Sequence, residues 1–78
     1  MSFKKGDRVR FLFGEGDRVY MIVATRDDPH KMIVDTGEYI GDRLVPKGMD
    51  YTIAKYPPPE YPKLAAYIDV IERDIEEM

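Results

Sequence analysis

The chain has 78 residues, which is enough for one small domain with a limited core. It contains no cysteine and a single histidine, so disulfides, thiolate zinc sites and imidazole-rich metal centres are excluded. Residues 1–56 carry ten basic and nine acidic side chains, whereas residues 57–78 carry two basic and six acidic ones. This balance gives the chain no general attraction for nucleic-acid phosphates.

The strongest local pattern lies between Asp7 and Arg26 and predicts two strands folded back on each other. Gly14 and Gly16 sit between the two runs and can adopt the backbone angles of a reversal. One face is apolar in both runs, and we expect every second residue to lie on it: Val9, Phe11, Phe13, Val19, Met21 and Val23.

Three further short strands are predicted downstream. Arg26 to His30 should form a loop, with His30 exposed, because two acids and a proline interrupt the pattern. The first strand covers residues 31–36, and residues 35–38 then reverse the chain. The second covers residues 39–45, with a bulge at Gly41, and the third covers residues 51–55.

Five short strands in about fifty residues predict a small antiparallel barrel, because closure removes exposed sheet edges. The expected core consists of the apolar residues that face inward in this reading: Val9, Phe11, Val19, Met21, Val23, Val34, Leu44 and Ile53.

The run from Phe3 to Phe11, the glycine turn, and the later stretches 19–23, 32–35 and 44–46 resemble the SH3-like barrel modules of the KOW and Tudor type. Small bacterial and phage proteins are among the relatives that this resemblance implies. It covers roughly two thirds of the chain and implies a five-stranded SH3-like barrel. For KOW modules it also implies binding to RNA.

The acidic C-terminal part is predicted to be a proline-rich linker at residues 57–62 followed by an amphipathic α-helix at 63–78. Four apolar residues fall at helical spacing and would form one stripe: Leu64, Ile68, Ile71 and Ile75. Acidic residues at the C-terminal end oppose the helix dipole, so this helix should fray unless it is docked. The stripe could pack on its own barrel or on a partner.

No catalytic arrangement is expected. The neighbouring acids Asp27 and Asp28, and the pair Asp35 and Glu38, lie in predicted turns, where carboxylates are usually solvated. Gly14 and Gly16 are not followed by the Lys-Ser/Thr of a phosphate loop. We therefore predict a non-enzymatic protein with no metal and no cofactor.

The longest apolar run, Val19 to Ala24, is far shorter than the ~20 residues of a membrane-spanning helix. The first residues, Met1 to Lys5, also lack the apolar stretch of a secretion signal. These features predict a soluble cytoplasmic protein that does not associate with membranes.

Two functions fit these features. The first is a protein-interaction or assembly module that binds a protein partner or itself through the helix stripe. The alternative is a nucleic-acid binder, in which basic side chains and an aromatic ring combine in the way that proteins use to bind single strands. Its contacts would be Lys4, Lys5, Arg8, Arg10, Arg18 and Tyr20. The acidic tail offsets the basic strands and favours the first function.

Overall fold

The structure is a computed structural model, and it describes residues 2–14, 18–58 and 66–78. These residues form strands and one short 3₁₀ helix. The elements are β1 (Arg8–Phe11), β2 (Tyr20–Thr25), β3 (His30–Ile33), β4 (Tyr39–Arg43), β5 (Tyr51–Lys55), β6 (Tyr67–Val70), the 3₁₀ helix (Glu72–Asp74) and β7 (Ile75–Glu77).

Five of the strands form one antiparallel sheet in the order β6-β5-β2-β1-β7, and β3 pairs with β4 in a separate two-stranded sheet. The predicted pairing of β1 with β2 is present. A tight turn leads from β2 to β3, because Thr25 and Asp28 exchange two backbone hydrogen bonds of 3.0 and 3.2 Å. Residues 35–38 reverse the chain between β3 and β4, as predicted.

The five-stranded sheet must be strongly curved. Its edge strands β6 and β7 are consecutive in sequence and are separated only by Ile71 and the 3₁₀ helix. In a flat sheet of five strands the edges would lie roughly 19 Å apart. A connection of this length spans at most ~17 Å when fully extended, and a 3₁₀ turn shortens it further. The sheet therefore curls toward closure but stays open, and the barrel prediction is wrong for the described residues.

Both faces of the curved sheet are covered. On one face a buried cluster forms the main core, and Phe3, Phe11 and Tyr20 pack against it. Its buried members come from five strands: Val9, Ile22, Tyr51, Ile53, Val70 and Ile75. On the other face Val23, Ala54 and Tyr67 are buried, with Met21 and Met32 packed on them. Met32 belongs to β3, so the two-stranded sheet covers this second face.

The register between β1 and β2 differs from the prediction by one residue. Val9 lies opposite Tyr20, so Tyr20 and Ile22 share the face of Val9, while Met21 and Val23 point to the other side. A shift of one residue exchanges the two faces of a strand. The pairing of β2 with β5 is irregular, because its register shifts between Ile22 and Ala24.

The predicted core is correct in part. Val9, Val23 and Ile53 are buried, and four residues are half-buried: Phe11, Val19, Met21 and Val34. Leu44 is exposed, and its place in the predicted core is wrong. It follows the last residue of β4, beyond the part of that strand that pairs with β3.

The predicted C-terminal α-helix is wrong. Residues 67–70 and 75–77 are strands, and the described part of 63–78 contains no α-helix. Tyr67 and Val70 lie opposite Ala54 and Tyr51 of β5. Pairing on an existing sheet satisfies their backbone groups and buries their side chains, whereas an isolated helix of this length is marginal in water. Leu64 lies outside the described residues.

Candidate functional site

The β3–β4 hairpin presents two chemically different faces. His30 lies opposite Arg43 and Met32 opposite Gly41, and these residues face the five-stranded sheet. The alternate pairs, Lys31 with Asp42 and Ile33 with Tyr39, face away from it. The predicted bulge is present beside Gly41, because the register shifts between Met32 and Ile33.

The β3–β4 hairpin carries a concentration of exposed apolar side chains. Its four large apolar residues are between 43 and 68% exposed: Ile33, Tyr39, Ile40 and Leu44. Together with Lys31 and Asp42 we call them the hairpin outer face. Scattered exposed apolar residues are common, but a group on one element is typical of an interaction site.

One polar contact orders the outer face. The Tyr39 hydroxyl donates a hydrogen bond of 2.6 Å to the Asp42 carboxylate. This bond raises the pKa of Tyr39, since an ionised phenol could not donate it. The ring is thereby tethered to its own strand, which reduces the entropy lost when it packs against another surface.

Polar side chains fix the inner side of the hairpin to β5 and β6. The His30 Nε2 atom lies 3.0 Å from the Tyr67 hydroxyl, and the two ring centroids are 5.0 Å apart. Arg43 donates to the Asp69 carboxylate over 3.2 Å. The buried Thr52 hydroxyl donates to the same carboxylate over 2.6 Å. We call these five residues the hairpin anchor.

Burial and charge shift two groups in the hairpin anchor. Burial lowers the pKa of His30 below its usual value, and the positive charges of Lys5 and Arg43 lower it further. Burial raises the pKa of Tyr67, and the charge of Arg43 opposes that effect. The prediction of His30 as an exposed loop residue is wrong, because it is half-buried and begins β3.

A second polar network ties the 3₁₀ turn to the sheet. The Tyr51 hydroxyl accepts a bond of 2.9 Å from the Phe3 amide and donates one of 3.0 Å to the Glu72 carboxylate. The Asp50 carboxylate accepts the Glu72 amide over 2.7 Å and pairs with Arg26 at 3.3 Å. The network lines an open cleft of about 620 Å³. Because its charges pair largely with one another, its evident role is structural.

The predicted nucleic-acid contacts do not form one basic surface. Lys5 pairs with Asp28 at 3.1 Å, and Arg10 pairs with Glu76 at 2.6 Å. The guanidinium of Arg8 lies 4.5 Å from the centroid of the Tyr56 ring.

The remaining predicted contacts also lie apart. Tyr20 shares a face with Val9, whereas Arg8 and Arg10 point to the opposite side of β1. Its ring packs edge-on against Phe11, with centroids 5.2 Å apart. Lys4 and Arg18 are exposed. The Tyr20 ring is therefore not interleaved with these cations in the way that the prediction required.

The predicted partner-binding stripe is also dispersed. Ile75 is buried in the main core, Ile71 is half-buried before the 3₁₀ turn, and Ile68 is exposed on β6. Since residues 66–78 hold no α-helix to align them, Ile68, Ile71 and Ile75 do not offer one docking surface.

The sequence held some signal for the outer face and little for the hairpin anchor. Strand alternation placed Met32 on the opposite side from Ile33, and this is the observed arrangement. Tyr67 and Asp69 could not be recognised as members of the hairpin anchor, because both lay within the predicted helix. Their partners lie at least 17 positions away in the chain, so local spacing could not reveal the cluster.

Comparison with protein-family models, with curated proteins and with solved structures gives no match to this chain. Among residues 2–14, 18–58 and 66–78, no group of three or more possible metal ligands is found. Within the same residues, no helix has the length and apolar character needed to cross a membrane.

Proposed function

We propose that this chain is a non-enzymatic assembly module that associates with a second copy of itself through the hairpin outer face. The observation that carries the proposal is the set of four exposed apolar side chains on one hairpin, next to a sheet whose own apolar side chains are mostly covered. Burying such a group in a dimer removes apolar surface from water, which is the main driving force for association.

The charges of the outer face favour a second copy as the occupant. Lys31 and Asp42 are neighbours across the hairpin, and among the described residues Lys31 forms no ion pair. A twofold contact uses the same patch on both chains. It can place Lys31 of each copy beside Asp42 of the other, with the apolar side chains between the two pairs. A partner with uniform charge would leave one of them unmatched.

Nucleic-acid binding is the less supported alternative. Four of the six arginines and Lys5 already contact acidic or aromatic side chains within the chain. Nucleic-acid phosphates would have to compete with these contacts for the basic side chains. The main driving force for such binding is the release of counterions when basic side chains neutralise phosphates.

Kinship with the KOW and Tudor modules is part of the proposal, and its support is the strand pattern between Phe3 and Val23 together with the β1–β2 pairing. The cytoplasm is the proposed compartment, because a reducing environment suits a chain that contains no cysteine.

Sedimentation velocity over a wide concentration range tests the assembly. The wild type should show a concentration-dependent monomer–dimer equilibrium, and Leu44→Asp should be monomeric because it buries a charge in the contact. Met78→Asp is the matched control, since Met78 is similarly exposed at the end of the sheet but lies outside the hairpin. It should dimerise like the wild type.

A charge exchange tests the twofold arrangement. Lys31→Asp should weaken the dimer because it places like charges together, and adding Asp42→Lys should restore it. A wild type that stays monomeric at every concentration overturns the proposal. Equal loss of dimer in Leu44→Asp and Met78→Asp would overturn the assignment of the surface.

A further inference from the structure

We infer that protonation of His30 releases the β3–β4 hairpin from the five-stranded sheet and thereby weakens self-association through the hairpin outer face. The inference rests on the proposed function, because it concerns the regulation of the same surface. It is supported by the polar contacts that hold the hairpin, by the charges beside His30, and by the low intrinsic stability of a free hairpin.

Polar side chains contribute to holding the hairpin in place. Among the described residues, its contacts with the sheet include Met32, which packs on the second apolar cluster, and His30 and Arg43, which reach residues of β6. Two of these three contacts are polar. The position of the hairpin therefore depends in part on the charge of its anchor.

The surroundings of His30 suit a neutral imidazole. Lys5 lies before β1 and Arg43 on β4, and both charges oppose a further positive charge on the ring. The nearby carboxylates are already engaged, since Asp28 pairs with Lys5 and Asp69 accepts bonds from Arg43 and Thr52. Among the described residues, the titratable and charged groups around the ring include Lys5, Asp28, Arg43, Tyr67 and Asp69.

The sign of the effect follows from linkage. The pKa of His30 is lowered in the docked hairpin, so the docked state binds a proton less tightly than the released state does. Docking is fully favoured above a pH of about 6.5, the usual imidazole value. It weakens as the pH falls from that value toward the lowered pKa. Below the lowered pKa, the titration of His30 causes no further loss of docking free energy.

Release should remove the docking surface. A two-stranded hairpin alone is marginally stable in water. Once it leaves the sheet, the strands of the hairpin fray, and the positions of Tyr39 and Leu44 are no longer fixed relative to each other. A second copy must then order the hairpin when it binds, which reduces affinity.

Amide hydrogen exchange measured at about pH 7.5 and about pH 5.5 tests this inference, with rates corrected for the intrinsic pH dependence. We expect the protection of β3 and β4 amides to fall several-fold at the lower pH, while that of β2 and β5 amides is retained. His30 is the only histidine, so its imidazole resonance gives the titration directly. The midpoint of hairpin release should follow that titration.

His30→Gln is the matched variant, because glutamine can still hydrogen-bond to the Tyr67 hydroxyl but has no proton to gain in this range. It should keep hairpin protection at both pH values. The variant retains every carboxylate, so persistence of the pH effect in His30→Gln would assign the effect to acids and overturn the inference. Equal protection of the wild-type hairpin at both pH values would also overturn it.

The two proposals can fail separately. Hydrogen exchange in the Leu44→Asp chain reports hairpin release without any contribution from association. If hairpin protection depends on pH in a chain that never dimerises, the His30 mechanism is supported and the assembly proposal is overturned. If the dimer forms but its dissociation constant is the same at the two pH values, assembly is supported. The regulation of assembly by His30 protonation is then overturned.

Discussion

Ile22 of β2 and Ile53 of β5 lie directly opposite each other, and both side chains are almost completely removed from water. They occupy the centre of the curved sheet, where residues from its edge strands also converge. The pair therefore connects β6 and β7 to the middle of the sheet, and its packing should control the stability of the whole domain.

We expect Ile53→Ala to reduce the free energy of unfolding by about 2–5 kcal/mol, which is a large share of the stability of a small domain. The loss combines the missing apolar contacts with the cavity left behind. Ile53→Val removes one methylene and should cost about 0.5–1.5 kcal/mol. Urea unfolding followed by circular dichroism measures both values.

Met78→Ala is the control for that comparison, because this side chain is largely exposed. It should change the free energy of unfolding by no more than about 0.5 kcal/mol. If Ile53→Ala were as mild as Met78→Ala, the centre of the core would be misplaced.

The Tyr51 hydroxyl provides the second prediction. Tyr51→Phe keeps the ring in the core but leaves the Phe3 amide without its acceptor and the Glu72 carboxylate without its donor. The two bonds are partly buried and border an open cleft, so each should contribute about 0.5–1.5 kcal/mol. Thermal and urea unfolding should both show the loss.

Tyr56→Phe is the matched control for Tyr51. Its hydroxyl accepts one bond from Arg8, and the residue is exposed, so water can replace the lost contact. A loss of stability in Tyr56→Phe that equals the loss in Tyr51→Phe would contradict a special role for the network around Glu72.

The third prediction concerns the C-terminal residues. Deleting residues 71–78 removes β7 and the buried Ile75, and it exposes the edge of β1. We expect the shortened chain to lose its cooperative unfolding transition and to aggregate, because a bare apolar edge recruits other chains. Deleting Met78 alone should leave the transition nearly unchanged. A shortened chain that melts cooperatively, as it would if these residues were a solvated tail, would refute the assignment of β7 to the sheet.

The sequence was sufficient for the β1–β2 hairpin because its signals are local. Alternating apolar residues and a glycine turn identify the two strands. They did not set the register, since both faces of β2 are apolar and alternation therefore could not distinguish Ile22 from Met21 or Val23. The register is fixed by β5 and β7, which lie far along the chain.

The C-terminal prediction was wrong because two periodicities overlap in that segment. Ile68, Ile71 and Ile75 fit a helix, while Tyr67 and Val70 are the residues that become buried on β5 and in the core. The β-branched residues and the acids crowded at the C-terminal end both disfavoured the helix. The deciding factor was the open edge of a sheet, which is a tertiary feature.

The candidate site was missed for a related reason. The sequence predicted an amphipathic helix and cations interleaved with a ring, whereas the outer face is made by a hairpin whose inner side is anchored to β5 and β6. Ile33 and Tyr39 meet only because β3 and β4 pair in this register. Leu44 was assigned to the core because an apolar residue in a predicted strand was taken to face inward.

The position of β1 between β2 and β7 has a consequence for the kinetics of folding. Its pairing with β2 closes a short loop, whereas its pairing with β7 joins residues such as Arg10 and Glu76, 66 positions apart. The entropy lost in closing a loop grows with its length, so β1–β2 contacts should form first and β7 should add last. Substitutions at Ile75 should therefore act mainly on the unfolding rate, with φ-values near zero, and those at Ile22 should slow folding.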